Sequence, residues 1–143
     1  MPELIEHIDA IARKTQRDVC FLRFSDPAGH SGDGDGSLSC WAWEESPERQ
    51  TIIAWLQDNQ ISWRPCADVA DTHSMPSYSG QIFVDVAFDE ADPVYQKTVG
   101  YLEDADGSTR HLGVAFFVLG IGVAMKNVHH DEPGFWERWA EEF

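Results

Sequence analysis

Two dipeptides in the chain, Ser46-Pro47 and Asp92-Pro93, have the composition that begins an α-helix. A serine or aspartate side chain accepts a hydrogen bond from the unpaired N–H groups of the first turn. Proline suits the first helical position because its φ is fixed and it lacks an N–H. Apolar residues at helical spacing follow both dipeptides, so we expect a helix after each of them.

Runs of alternating residues lie before and after these helices. In the clearest run, Gln81–Phe88, Ile82 and Val84 alternate with Phe83 and Asp85. Such alternation indicates a strand, because successive side chains of a strand point to opposite faces of the sheet. The predicted strands are Val19–Phe24, Leu38–Glu44, Ile61–Cys66, Gln81–Phe88 and Leu112–Leu119.

The order of the elements predicts the fold class. The predicted helices are Pro2–Gln16, Ser46–Asn59, Asp92–Glu103 and Pro133–Phe143. The chain therefore runs α, β, then two β-α-β units, then α, and two such units in one sheet form the split β-α-β, or ferredoxin-like, arrangement. We predict a single α+β domain over residues 1–143, with helices on one face of a ferredoxin-like sheet and additional helices at the N-terminus and C-terminus.

Nothing in the chain predicts secretion or a membrane span. The first six residues lack the basic and apolar regions of a signal peptide. The longest apolar run, Leu112–Met125, contains three glycines and is shorter than the ~20 residues that a spanning helix needs, so we interpret it as buried sheet. The three cysteines have no paired spacing, which favours a cytoplasmic protein with reduced thiols. We expect Cys66, at the end of a predicted strand, to be the most accessible thiol.

The formal net charge is −15, and the acids are unevenly distributed. Residues 26–48 contain six acids and no lysine or arginine, residues 85–106 contain seven acids and one lysine, and residues 131–143 contain five acids and one arginine. Dispersed acids would indicate solubility alone, whereas clustered acids attract a basic partner. The charge also disfavours nucleic acid and anionic membrane as partners, because both are negatively charged.

The clustered acids favour a protein-binding module. We predict that the chain engages a basic protein, by an analogy of charge with inhibitors and immunity-type proteins that cover the nucleic-acid surface of a nuclease. Acids steer a basic partner during association, and tryptophans anchor it because they bury a large area with few rotatable bonds. The predicted partner-binding residues are Asp89, Glu90, Asp92, Glu103, Asp104, Asp106, Trp41, Trp43, Trp136 and Trp139.

The last predicted helix has an apolar stripe that includes Phe135, Trp136 and Trp139. A terminal amphipathic helix usually packs against its own domain, because that buries the stripe within the same chain. The alternative is that the stripe docks on another chain. A homodimer formed through this helix is therefore a further expectation.

A second hypothesis is a small-molecule-binding protein or an enzyme. Such a protein would use the open face of a ferredoxin-like sheet near Trp41, Trp43 and Asp85. Asp85 stands in a strand, where carboxylates are rare, and we expect its side chain to be solvated. The sequence lacks a phosphate-binding loop, a dinucleotide fingerprint and a nucleophile elbow. We therefore assign no cofactor and no catalytic residue, and we favour the binding module over the enzyme.

Two segments contain residue types that bind metals, and neither has the spacing of a standard site. Asp33 and Asp35 lie in a glycine-rich loop without the glycine that an EF-hand requires at its sixth position. His129 and His130 are adjacent, and adjacent side chains on an extended chain point in opposite directions. The sequence leaves metal binding at both places open, and no metal is assigned.

Overall fold

A computed structural model describes residues 5–25, 43–67 and 78–142 of the chain. Its strands are β1 (Val19–Phe24), β2 (Trp63–Pro65), β3 (Ile82–Val84) and β4 (Val114–Leu119). Its helices are α1 (Ile8–Thr15), α2 (Pro47–Asp58), α3 (Pro93–Leu102), α4 (Ile121–Ala124) and α5 (Phe135–Glu141), with 3₁₀ segments at Trp43–Glu45 and Met125–Asp131. None of the helices in these ranges combines the length and apolar character that crossing a membrane requires.

The four strands form one antiparallel sheet in the order β2-β3-β1-β4. β1 lies between β3 and β4, and Leu22 is opposite Ile82 of β3 on one side and Phe116 of β4 on the other. β2 pairs with β3 from Trp63 to Pro65. The mixed α+β class predicted from the sequence is confirmed.

Both predicted helix starts are present with their caps. Ser46 Oγ accepts a hydrogen bond from the N–H of Arg49 at 3.2 Å, and Pro47 is the first residue of α2. Asp92 Oδ1 accepts hydrogen bonds from the N–H groups of Val94 and Tyr95 at 2.8 and 3.0 Å. These contacts satisfy N–H groups that have no partner within the helix, so the sequence determined both starts locally.

The helices α2 and α3 lie on the same face of the sheet. Ile52 and Leu56 of α2 and Leu102 of α3 pack against Leu22 and Val84 in one buried cluster. The stacked rings of Trp55 and Tyr101 join the two helices, with centroids 4.0 Å apart and planes 1° apart.

A second buried cluster lies on the opposite face. Ile8 and Ile11 of α1 and Ala124 of α4 pack with Phe21 and Phe83 of the sheet. The N-terminal helix therefore covers the face that α2 and α3 leave, and Phe21 and Phe83 are each only 6% exposed beneath it.

Several predicted elements differ in extent from the observed ones. α1 begins at Ile8, while Pro2, the predicted first residue, lies outside the described residues. The strand predicted to reach Phe88 ends at Val84. The last helix begins after Gly134, whose φ of 80° places it in the left-handed region that interrupts a helix.

The strand predicted at Leu112–Leu119 is observed as Val114–Leu119, whereas the rest of the apolar run, which was also interpreted as buried sheet, forms α4 and the start of a 3₁₀ segment. The N–H of Ile121 donates to Asp18 Oδ1 at 2.8 Å, which satisfies the first N–H of α4 from outside the run. The strand predicted at Leu38–Glu44 is also wrong at its described end, because Trp43 and Glu44 belong to a 3₁₀ segment. Residues 38–42 lie outside the described part of the chain.

Candidate functional site

An acidic groove runs along the outer side of α3. Glu90, Glu103 and Asp104 line it together with Arg110, and its volume is about 520 Å³. Tyr95 also lines the groove, eight residues before Glu103. Residues at intervals of four lie on the same side of a helix, so the two side chains share the groove side of α3. Three of the six predicted acids therefore lie together, and among the described lining residues they outnumber the one arginine, Arg110.

The ends of α3 position these acids. The Asp92 carboxylate caps the first turn of α3. The carbonyl of Glu90 accepts a hydrogen bond from Gln96 Nε2 at 2.7 Å, which holds the turn before the helix against α3. Beyond the helix, Asp104 Oδ1 forms an ion pair with Arg110 Nε at 3.0 Å. Glu103 makes a single antiparallel bridge with Thr109. A tight turn between these residues thus holds the C-terminal end of the groove.

The remaining predicted acids have local hydrogen bonds. Asp89 Oδ1 accepts from the N–H of Ala91 at 2.9 Å. Asp106 accepts from the Ser108 hydroxyl at 2.6 Å and from the Ser108 N–H at 2.9 Å. The hydroxyl hydrogen bond, followed by the backbone one, lowers the pKa of Asp106. Asp89, Asp92 and Asp106 therefore shape the turns around the groove, while Glu90 and Glu103 supply charge to it.

The groove opens on the side of α3 that lies away from α2. Tyr101 faces α2, since its ring stacks on that of Trp55. Tyr95 is on another side of the helix, where its ring centroid lies 6.4 Å from that of Phe116 in β4. Because β4 is the outermost of the described strands on that side of the sheet, the groove lies beside an edge of the described sheet.

Trp43 contacts the N-terminal half of α2 and lies apart from the groove. The guanidinium of Arg49 lies 4.7 Å from the centroid of the Trp43 ring, and Tyr78 meets that ring edge-on at 5.0 Å. Gly80 lies directly beneath it. Trp41 is outside the described residues, so the predicted Trp41/Trp43 pair has only one member whose position is given.

Trp136 and Trp139 lie on the other side of the sheet. Trp136 stacks on His7, with ring centroids 4.9 Å apart and planes 9° apart, and it meets Trp139 edge-on at 5.8 Å. His130 contacts the rings of both Phe135 and Trp136. The apolar stripe of α5 therefore packs against the 3₁₀ segment and the start of α1, and these tryptophans do not meet the acids of α3.

The structure also separates the residues of the proposed open face. Asp85 forms an ion pair with Arg17, which follows α1, and its side chain is 46% exposed, so the expectation that it is solvated is confirmed. Trp43 lies at the start of α2, on the other face of the sheet. The face beneath α1 is covered at Phe21 and Phe83.

Metal and thiol chemistry find little support in the described ranges. There, no group of three or more His, Cys, Asp or Glu side chains has a geometry that holds a metal ion. His129 and His130 lie in a 3₁₀ segment and not on extended chain, and their rings are 4.3 Å apart. Asp33 and Asp35 lie outside the described residues.

The accessibility predicted for Cys66 was wrong, because the residue is fully buried in the cluster beneath α1. Cys20 is fully buried as well, and burial raises its pKa to about 11. Neither thiol is therefore placed to act as a nucleophile.

One buried polar cluster was not predicted from the sequence. Arg13 Nη1 donates to Asp9 Oδ2 at 2.9 Å and to the carbonyl of Ala124 at 3.0 Å, while Nε and Nη2 reach Asp131. Asn127 Nδ2 also donates to Asp9, at 3.1 Å. The spacing of Asp9 and Arg13 is a signal of pairing within α1, but it does not indicate that both are buried.

Comparisons of the chain with family models, with curated proteins and with solved structures gave no match.

Proposed function

We propose that this protein is an acidic protein-binding module that engages a basic protein partner through the groove beside α3. The observation that supports it is the convergence of Glu90, Glu103 and Asp104 in one groove, where Arg110 is the only cation among the lining residues that the structure describes. Neighbouring carboxylates make the local electrostatic potential more negative, which speeds the approach of a basic surface. An inhibitor or immunity-type role is consistent with this charge.

The fold that we propose for this module is ferredoxin-like. What supports it is the connection β1-α2-β2 followed by β3-α3-β4, together with the antiparallel order β2-β3-β1-β4. In this arrangement the two β-α-β units interleave, so that α2 and α3 share one face and β4 is left at an edge. The acidic groove then belongs to the second unit.

The test is a pull-down with the purified protein at ~50 mM and ~500 mM salt, because attraction between exposed charges weakens as the Debye length shortens. Proteins that are retained are identified by mass spectrometry, and the leading basic candidate is then purified and titrated. We expect the Glu90→Gln/Glu103→Gln variant to bind it more weakly at low salt.

The matched control is Asp58→Asn/Glu141→Gln, which removes the same amount of charge from exposed positions away from the groove. It is expected to retain binding. Equal losses in both variants would reduce the effect to net charge, and the absence of any basic partner at low salt would count against the proposal.

A further inference from the structure

The outer edge of β4 carries backbone groups that point away from the sheet. The N–H of Ser25 donates to the carbonyl of Gly113 at 2.8 Å, one rung beyond the pair Phe24–Val114. Ladder hydrogen bonds of an antiparallel pair recur at every second residue, so Ala115 and Phe117 bond toward β1. The N–H and C=O groups of the residues between and after them, Phe116 and Val118, must therefore point outward.

No strand of the described part of the chain pairs with this edge. Within the same ranges, no turn or loop backbone group bonds to Phe116 or Val118. β4 has the sequence Val-Ala-Phe-Phe-Val-Leu, without the proline or charged residue that usually protects an exposed edge from pairing. Its length of about six residues, or ~20 Å, is sufficient for a stable added strand.

The edge and the acidic groove lie on the same side of the domain. Phe116, whose side chain is on the α3 face, lies 6.4 Å from Tyr95, and Tyr95 lines the groove with Glu90 and Glu103. A strand added to β4 would lie about 4.8 Å beyond it. Every second side chain of that strand would then point to the α3 face, toward the acids.

The other side chains of an added strand meet a different surface. They would lie on the α1 face beside Phe117, which is 41% exposed and stacks on Phe21 with ring centroids 5.5 Å apart. The β4 side chains on this face, Ala115 and Phe117, are apolar, and the guanidinium of Arg23 lies 5.8 Å from the centroid of the Phe117 ring. An added strand is therefore expected to place basic side chains on the α3 face and apolar side chains on the α1 face, at alternate positions.

We propose that the edge of β4 binds an extended segment of the partner as a fifth strand, in which lysine or arginine alternates with apolar residues. The inference rests on the proposed function, because the basic side chains are those that the acidic groove attracts. Backbone hydrogen bonds to Phe116 and Val118 would supply affinity, and the alternation of side chains would supply specificity.

A second copy of this chain is a poorer occupant of the same edge. Pairing of β4 with itself about a two-fold axis would place both α3 helices on one face of the joined sheet. The two acidic grooves, each with Glu90, Glu103 and Asp104, would then flank the junction and repel one another. Charge complementarity therefore favours a basic strand.

The probe for the test is a ten-residue synthetic peptide of alternating lysine and valine. N-methylation of every valine blocks one edge of this peptide, which prevents its self-association and leaves the other edge able to pair. N-methylation of every residue blocks both edges while the charge stays the same. We expect the peptide with one free edge to shift and protect the Phe116 and Val118 amides in NMR spectra, and to bind about tenfold more tightly than the fully methylated peptide.

Two variants separate the edge from the charge. Val118→Pro removes an outward N–H and is tolerated at a strand edge, and Val118→Ala is its control, because it keeps the N–H and shortens the side chain. We expect Val118→Pro to weaken binding by about tenfold and Val118→Ala by less than about threefold. If Val118→Pro does not fold, as judged by circular dichroism, the comparison of the two methylated peptides on the unmodified protein decides the question.

The outcomes distinguish the two proposals. Equal binding of both peptides, with loss of binding only in Glu90→Gln/Glu103→Gln, would overturn strand addition and leave the acidic module standing. Loss with Val118→Pro but no change with the glutamine variant would overturn the role of the acids, and with it the basic strand. A dimer in sedimentation that Val118→Pro dissociates and Val118→Ala does not, or the absence of amide shifts with any peptide, would also overturn the proposed occupant.

Discussion

Arg13 and Asp131, which are 118 residues apart in the chain, form a two-point ion pair. Nε of the arginine donates to Oδ2 and Nη2 donates to Oδ1, both at 2.7 Å. The hydrogen bond from Arg13 lowers the pKa of Asp131, and the same hydrogen bond is the largest cause that raises the pKa of Arg13. The pair fastens α1 to the 3₁₀ segment that precedes α5.

Replacement of Arg13 should destabilise the fold strongly. Asp9 is completely buried and accepts from Arg13 Nη1, so Arg13→Ala leaves a buried carboxylate without its cation. We expect a loss of about 3–5 kcal/mol in the free energy of unfolding, measured by urea denaturation. The control is Lys14→Ala, because Lys14 is exposed and lies 4.0 Å from Glu6. That change should lower the free energy of unfolding by less than about 1 kcal/mol, and similar losses in both variants would contradict the buried role of Arg13.

The free energy of unfolding should fall as the pH decreases below about 6.5, and protonation of His130 should contribute to this fall. Burial, followed by the neighbouring His129, lowers the pKa of His130, although Asp9 opposes the shift. Between the lowered pKa of His130 in the folded protein and its ordinary pKa near 6.5, the unfolded chain binds more protons than the folded one. The contribution of His130 to stability is therefore present above about pH 6.5 and is lost as the pH decreases through the folded pKa.

His130 lies among titratable groups of α1, of the residue before it and of its own 3₁₀ segment. They are Asp9 and Arg13 of α1, His7 before it and His129 beside it. His130→Gln should reduce the slope of the unfolding free energy against pH in this window. His129→Gln is the control and should retain most of the slope, because burial is the larger cause of the shift. An unchanged slope in His130→Gln would show that other groups carry it.

Gly80 should tolerate alanine poorly. Its φ is +89°, and a Cβ there would lie 2.8 Å from Cε3 of Trp43. Gly107 is the matched control, since it has a similar φ of +85° with nothing within 4 Å of a Cβ. We expect Gly107→Ala to cost about 1–2 kcal/mol for the left-handed backbone alone, and Gly80→Ala to cost more, with altered Trp43 fluorescence. Equal costs in thermal denaturation would mean that Trp43 does not pack on Gly80.

Asp92 should contribute to stability through its cap. Asp92→Ala removes the acceptor for the N–H groups of Val94 and Tyr95 and should lower the free energy of unfolding by about 0.5–2 kcal/mol. Asp92→Asn should retain most of the stability that Asp92→Ala loses, because asparagine caps about as well as aspartate. Both substitutions remove the same single negative charge. If asparagine and alanine were equally destabilising, the effect would come from charge and not from the cap.

Much of the fold followed from patterns within a few residues. Alternation predicted that Ile82 and Val84 face one cluster and Phe83 the other, as they do. The pattern failed where a distant group competes with the local one. The N–H of Ile121 turns to Asp18, and α4 begins where sheet was predicted. Cys66 is buried because α1 docks over it, and no feature near Cys66 indicates that.

The candidate site was predictable only in part. The acid-rich stretch from Asp85 to Asp106 was evident from composition, since charge needs no structure to be counted. Which acids converge depends on how α3 and the following turn are placed, and this selected Glu90, Glu103 and Asp104. The tryptophans were grouped with these acids by residue type, yet Trp136 stacks on His7 across the sheet.

By itself the sequence determined the two capped helices, the faces of the strands and the clustering of acidic charge, because each depends on hydrogen bonds or periodicity within a few residues. The tertiary structure alone decided the strand order, the burial of Arg13 with Asp9, and the position of the acidic groove beside the edge of β4 that no other described strand pairs with. These depend on contacts between segments far apart in the chain. Their free energies are gained only when the whole sheet assembles, so no local pattern records them.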